Sequence, residues 1–194
     1  MKTFYLFILA FLSPLYFWAQ QGVKIDNYED LVHCYSAKTG TWSSQSYNCS
    51  DGNVQVMSFE NGYYFIDNYD DMVYAFSSLT GNWSAAHYNC SDSYVQVNNL
   101  SGLLYFTDKY SDKVFAFSNK TGSWSSQNYD CSDSYVKITA ADKFIYFVDS
   151  YQDNVHAFSL KKGNWATAHY ECSDAYVEIK QANGTLYFTD SYKD

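Results

Sequence analysis

Four aspartates, Asp51, Asp92, Asp133 and Asp174, stand 41 residues apart, and each closes a Cys-Ser-Asp tripeptide opened by Cys49, Cys90, Cys131 or Cys172. Carboxylates gathered around an axis suit a hard cation with oxygen ligands such as calcium. Four thiolates held as closely would suit zinc. A second repeated motif, Asp-x-Tyr-x-Asp, begins at Asp26, Asp67, Asp108, Asp149 and Asp190 and carries Tyr28, Tyr69, Tyr110, Tyr151 and Tyr192. Tyrosines offer amphipathic contact area, so the two motifs together read as an acidic recognition face for a cation, a glycan or a basic protein. The same residues also have a local use, in which each Asp caps its own turn through an Asx hydrogen bond and each Tyr packs over the loop.

The remaining reactive side chains point to packing. His33 and His156 stand where other units carry Tyr74 and Phe115, an aromatic slot, while His87 and His169 fall on outer strands two units apart. Repeat cysteines about 10 Å from their neighbours would lie beyond disulfide reach, so they read as buried thiols. Cys34 replaces the alanine of Ala75, Ala116 and Ala157. The chain has no His-Glu-x-x-His, no Gly-x-Ser-x-Gly and no phosphate loop, so neither a catalytic constellation nor a cofactor is expected. All twelve basic residues are lysines and the formal charge is −9. An acidic chain without arginine is a poor partner for nucleic acid.

The elements that must position these residues emerge from the interval itself. Trp42, Trp83, Trp124 and Trp165 keep the 41-residue spacing without a slip. Within the unit from Cys90, four strands are expected: "YVQV", which alternates; "LLYFT", apolar on both faces; "KVFAFS"; and "SWSSQNY", reached through Thr121-Gly122. The 21 tyrosines, 14 phenylalanines and single proline agree with strands. Four antiparallel strands repeated at this length predict an all-β fold, a β-propeller, with one unit per blade.

In each unit an aromatic and a tryptophan flank a turn with six residues between them, Phe76 to Trp83, Phe117 to Trp124, Phe158 to Trp165 and Tyr35 to Trp42. In this the chain resembles the kelch type of propeller repeat, with Asp-x-Tyr-x-Asp replacing the kelch double glycine. "VYAFSSLTGNW" is also similar to the quinoprotein-type repeat, though its tryptophan comes two residues early. The resemblance implies a ring of blades. The linkers and the Asp-x-Tyr-x-Asp turns should share one face of that ring, with Asp51, Asp92, Asp133 and Asp174 at the central mouth. The Thr-Gly turns and Lys38, Lys120, Lys161 and Lys162 should lie on the other.

Residues 1–19 read as a secretory signal peptide and 20–194 as one domain. It divides into a half-blade 26–48, repeats 49–89, 90–130 and 131–171, and a half-blade 172–194. The leading half is read as two outer strands and the trailing half as two inner ones, which together would make a fourth blade and close a monomeric ring; two chains forming an eight-bladed ring is the alternative. Deleting "TLYFTDSYKD" should then open the ring. Outer strands alternate, "WSSQ" at Trp42 and Trp124 but "WSAAH" and "WATAH" at Trp83 and Trp165, as if a two-blade piece were duplicated. Sequons at 48, 82, 89, 99, 119 and 183 matter only in a eukaryotic secretory pathway. The expectation is a secreted or periplasmic binding or scaffold module for a protein or glycan, free of the membrane once the leader is cut. A propeller lectin is the alternative, and an enzyme on a quinoprotein-like ring the least favoured.

Overall fold

The structure, a computed structural model, describes residues 22–100, 103–130, 132, 136–141, 144–171, 177–182 and 185–189. The leader, Cys131, Asp133, Cys172, Asp174, Asp190 and Tyr192 lie outside them. The fold is all-β. A three-stranded sheet comes first, of β1 (Val23–Asp26), β2 (Leu31–Ser36) and β3 (Thr41–Ser46). Three four-stranded antiparallel meanders come next: β4 (Met57–Phe59), β5 (Gly62–Asp67), β6 (Met72–Ser77) and β7 (Asn82–His87); β8 (Asn98–Leu100), β9 (Leu103–Asp108), β10 (Lys113–Ser118) and β11 (Ser123–Asn128); and β12 (Thr139–Ala141), β13 (Phe144–Asp149), β14 (Asn154–Ser159) and β15 (Asn164–His169). β16 (Glu178–Ala182) and β17 (Thr185–Thr189) form a sheet of their own, not joined by strand pairing to the first among the described residues.

Two sequence expectations need correction. The leading part has three strands, because Val23–Asp26 pairs with β2 from Val23 opposite Cys34 to Asp26 opposite Leu31. "VKID" lacks the aromatic pair of Tyr64-Phe65 or Tyr105-Phe106, which is why it does not read as a strand. The innermost strand also starts later than "YVQV". Asp92–Tyr94 is a short 3-10 turn, Val95 is buried as an anchor, and pairing begins at Asn98. Alternation there reflects one buried side chain in a linker, not a ladder.

Between the sheets lies a continuous aromatic packing. Each aromatic flanking the Thr-Gly or Lys-Gly turn is the cross-strand partner of its tryptophan, Phe76 with Trp83, Phe117 with Trp124 and Phe158 with Trp165, with ring centres 5.3 Å apart. A second phenylalanine on the preceding strand meets the same indole edge-on, Phe65 at 5.6 Å, Phe106 at 5.4 Å and Phe147 at 5.6 Å. Trp83 and Trp165 donate their indole N–H to the carbonyls of Ser43 and Ser125 on the preceding sheet. Trp124, whose unit comes after the "WSAAH" one, has no such acceptor, so the two-unit alternation is a structural one. Serines at the strand ends stitch successive units, with Ser36, Ser77 and Ser118 hydroxyls donating to the carbonyls of Ser78, Asn119 and Leu160. Gly122 has φ +70°, and a Cβ there would sit 2.4 Å from the Thr80 hydroxyl of the preceding turn, so both the turn and the stacking require glycine.

His156 takes the aromatic slot, as its position predicts. It is buried, lies tilted with its ring centre 4.8 Å from that of Phe147, shares a 2.9 Å hydrogen bond between its Nδ1 and the Thr167 hydroxyl, and leaves Nε2 without a partner. Burial holds it below its ordinary value of 6.5, opposed in part by the Asp149 carboxylate. The unfolded chain therefore takes up this proton first, and stability is lost as pH falls below 6.5 and through the lowered folded pKa. His156→Phe, copying Phe115, should raise stability by about 1–2 kcal/mol. Calorimetry should show a larger gain in Tm on the acid side of that range than on the alkaline side.

Candidate functional site

The Asp-x-Tyr-x-Asp turns are built on a buried carboxylate. Asp67, Asp108 and Asp149 are fully buried. One oxygen of each accepts two backbone N–H groups of its own turn, Tyr69 and Asp70 at 3.0 and 3.4 Å, Tyr110 and Ser111 at 3.1 and 3.3 Å, Tyr151 and Gln152 at 3.1 and 3.3 Å. This is the Asx cap the sequence suggests. The other oxygen does something the sequence does not show. It accepts the linker N–H of the preceding unit, Asn48 at 2.6 Å, Asn89 at 2.8 Å and Asp130 at 2.7 Å. The same linker residues pair through their side chains with the fourth turn residue, Asn48 with Asp70 at 2.6 Å, Asn89 with Ser111 at 2.7 Å, and Asp130 with Gln152. In each pair a donor faces an acceptor although the residue types change. The Nδ2 atoms of Asn48 and Asn89 are thus occupied, and Asn119 is buried, which argues against three of the six sequons as attachment points.

The last aspartate of each turn closes it with positive φ, Asp30 at 52°, Asp71 at 55°, Asp112 at 49° and Asp153 at 52°. Aspartate tolerates this region better than most side chains. Its carbonyl then accepts the N–H of Tyr47, Tyr88, Tyr129 or Tyr170 at 2.9 to 3.0 Å. These four tyrosines, at the end of every outer strand, are almost wholly buried and were not singled out by sequence reasoning. Their constant place two residues before the repeat cysteine was the available signal.

Asp51 and Asp92 serve those tyrosines. The Tyr47 hydroxyl donates to Asp51 at 3.3 Å and the Tyr88 hydroxyl to Asp92 at 3.0 Å. Burial, then the Asp51 charge, pushes the Tyr47 hydroxyl up to about 12, and burial with Asp92 pushes Tyr88 higher still. Among the described residues no three His, Cys, Asp or Glu side chains come together as a metal site. Cys34, Cys49 and Cys90 are free and buried, as packing thiols should be, and burial pushes the Cys34 thiol up to about 12.

The turn tyrosines do not pack over their loops. Tyr28, Tyr69, Tyr110 and Tyr151 are 95%, 78%, 79% and 79% exposed. Each ring projects from a turn whose backbone is fixed on both sides, beside Glu29 and Asp30, Asp70 and Asp71, Asp112, or Asp153. The arrangement leaves amphipathic rings in water beside carboxylates.

No protein-family model and no curated protein matches the chain. Among solved structures it is similar to streptogramin B lyase, at 16% identity and TM-score 0.34 over 84% of this chain and 56% of that one. It is also similar to a computationally designed protein, at 13% and 0.30 over 86% and 56%. A third is regucalcin, a calcium-binding protein of Agrobacterium tumefaciens, at 13% and 0.31 over 87% and 66%. The chain spans about half to two thirds of the length of these proteins.

Burial alone would raise Asp108, but the hydrogen bonds from Asn89, the Ser111 hydroxyl, and the Tyr110 and Ser111 amides outweigh it and hold the carboxyl below its ordinary 3.8. Its stabilisation is therefore present above that value and lost as pH falls through the lower folded one. Asp108→Asn should cost about 2–3 kcal/mol at neutral pH and flatten the acid limb of stability. Urea melts of both proteins across that limb measure the two effects together.

Proposed function

We propose that this chain is a secreted or periplasmic binding module of the β-propeller type, kelch-like in its repeat, that recognises a protein partner through its turn tyrosines and the acids beside them. The observation that carries this reading is the exposure of Tyr69, Tyr110 and Tyr151, 78% to 79% each, at the tips of turns held by buried aspartates. Nothing in the turn needs the ring. Asp67, Asp108 and Asp149 make the structural bonds through their carboxylates and the backbone, and any polar residue would serve the middle position. A large ring left in water at every repeat is surface kept for contact, since tyrosine gives contact area at little entropic cost and is enriched in binding hot spots.

The surrounding acids choose the partner's chemistry. The four described turns carry Glu29, Asp30, Asp70, Asp71, Asp112 and Asp153 against one lysine, Lys109. A tyrosine ring attracts a cation over its face, and nearby carboxylates steer one to it. A basic protein segment fits both features.

Direct titration with a short lysine- and arginine-rich peptide tests this. Binding should weaken as salt is raised and fall at least about tenfold in a Tyr69→Ser, Tyr110→Ser, Tyr151→Ser triple variant. Because the rings are exposed, the variant's stability should stay within about 0.5 kcal/mol per site of the parent. Equal peptide binding by parent and variant, or binding confined to neutral glycans, would overturn the reading.

A further inference from the structure

Among the described residues, the first and last sheets of the array lack complementary parts. At the N-terminal end Trp42 is 58% exposed, whereas the other repeat tryptophans are partly buried in the packing between sheets. A Cβ added at Gly40 would meet nothing within 4 Å, whereas one added at its equivalents Gly81, Gly122 and Gly163 would run into a threonine of the preceding turn. β1 places Lys24 opposite His33, in the slot that Phe65, Phe106 and Phe147 fill opposite Tyr74, Phe115 and His156. Trp42 therefore has no edge-on phenylalanine. Lys24 instead turns to Asp26 at 3.1 Å, on the oxygen that in Asp67 holds a linker.

At the other end β16–β17 has no third strand among the described residues. Beside it opens an apolar cavity of about 380 Å³, whose lining includes Val155, Phe158, Ala166, Ala168, Ile179 and Phe188. At the matching place two junctions earlier, Trp124, Phe115 and Phe106 pack on the cluster of the buried Ala86, beside a cavity of about 360 Å³ lined more by polar groups. Phe188 stands in the Phe106 position, but no tryptophan and no partner for the aromatic slot stand over it among the described residues.

We propose that the β2–β3 pair of a second copy of this chain docks here, head to tail, with β17 displacing that copy's β1. Tyr187 would then face Cys34, and Phe188 would face His33 and Trp42. Each pairing already exists elsewhere in the chain: Tyr146 faces Ala157, Phe147 packs tilted against His156, and Phe147 meets Trp165. The histidine slots match in detail, because His33 shares a hydrogen bond between Nδ1 and the Ser44 hydroxyl as His156 does with Thr167. The alternation is also preserved. A "WSSQ" unit would sit on "WATAH", as the Trp124 unit sits on "WSAAH". A second copy is favoured over the chain's own head because successive sheets already pack on one another while β16–β17 and β1–β3 share no strand pairing among the described residues. A second copy would repeat a junction that successive sheets of the chain already make. Such a heterologous contact closes a ring or continues as a filament. It is independent of what the turn tyrosines bind.

Residues directly opposite in an antiparallel pair have Cα atoms about 4.5–5.5 Å apart, within disulfide reach. Copper-catalysed oxidation of the full-length Tyr187→Cys variant should yield covalent dimers or a ladder on a non-reducing gel. The linked peptides should contain positions 34 and 187, and the product should vanish in a Cys34→Ala background, which Ala75, Ala116 and Ala157 show the slot accepts. A link within one chain would overturn the proposal in favour of self-closure, and no link at these positions would overturn the strand exchange. Sedimentation of the unsubstituted chain needs no variant: a mass that rises with concentration to multiples of the chain supports the contact, and a monomer throughout overturns it.

Discussion

Everything in this fold hangs on a carboxylate buried at the end of the second strand of each unit. Asp67, Asp108 and Asp149 each tie three backbone N–H groups, two in their own turn and one in the linker of the unit before. A buried carboxylate is tolerable only when its oxygens are satisfied, and here the satisfaction comes from two successive units at once. The residue that shapes a turn thereby also sets the spacing of the array. This gives a physical reason for a repeat that never slips: inserting a residue between linker and turn would strand a buried charge.

The aromatic layer depends on that spacing. Once linker and turn are fixed, the phenylalanine just ahead of the aspartate, Phe65, Phe106 or Phe147, arrives edge-on to a tryptophan whose other face is held by the aromatic across the hairpin. Edge-to-face contacts are specific in distance and orientation, so polar clamp and apolar stack have to agree. The first unit shows the effect of a missing half. Asp26 keeps its turn bonds to Tyr28 and Glu29, but with Lys24 in the phenylalanine slot Trp42 is left in water.

How much of this the sequence discloses depends on whether a feature repeats by type or by role. Tryptophan, cysteine and aspartate recur as letters, so the unit length, the four-stranded meander, the Thr-Gly hairpin and the buried thiols were all legible. The latch between linker and turn recurs only as a role, played by Asn48 with Asp70, Asn89 with Ser111 and Asp130 with Gln152, and is invisible until the partners are seen together. β1 escaped because the turn after a strand, here the one opened by Asp26, can specify that strand even when its own side chains are as unpromising as Val23-Lys24-Ile25. The reading of Asp51 and Asp92 as a shared acidic mouth met a nearer claimant in the hydroxyls of Tyr47 and Tyr88.

The division of labour inside the Asp-x-Tyr-x-Asp turn explains why its tyrosine, rather than its aspartates, is the residue to associate with recognition. The first aspartate is consumed by the clamp, and the last is committed through its backbone, at positive φ, to the buried tyrosine of the outer strand. The side chain of the middle residue is free of structural duty, and among the described residues that position carries the most exposed ring of its unit. A turn pinned at both ends presents this ring at little further entropic cost. Because the clamp fixes the interval between units, it fixes the interval between rings as well, so the stability of the array and the geometry of its contact surface are set by the same carboxylates.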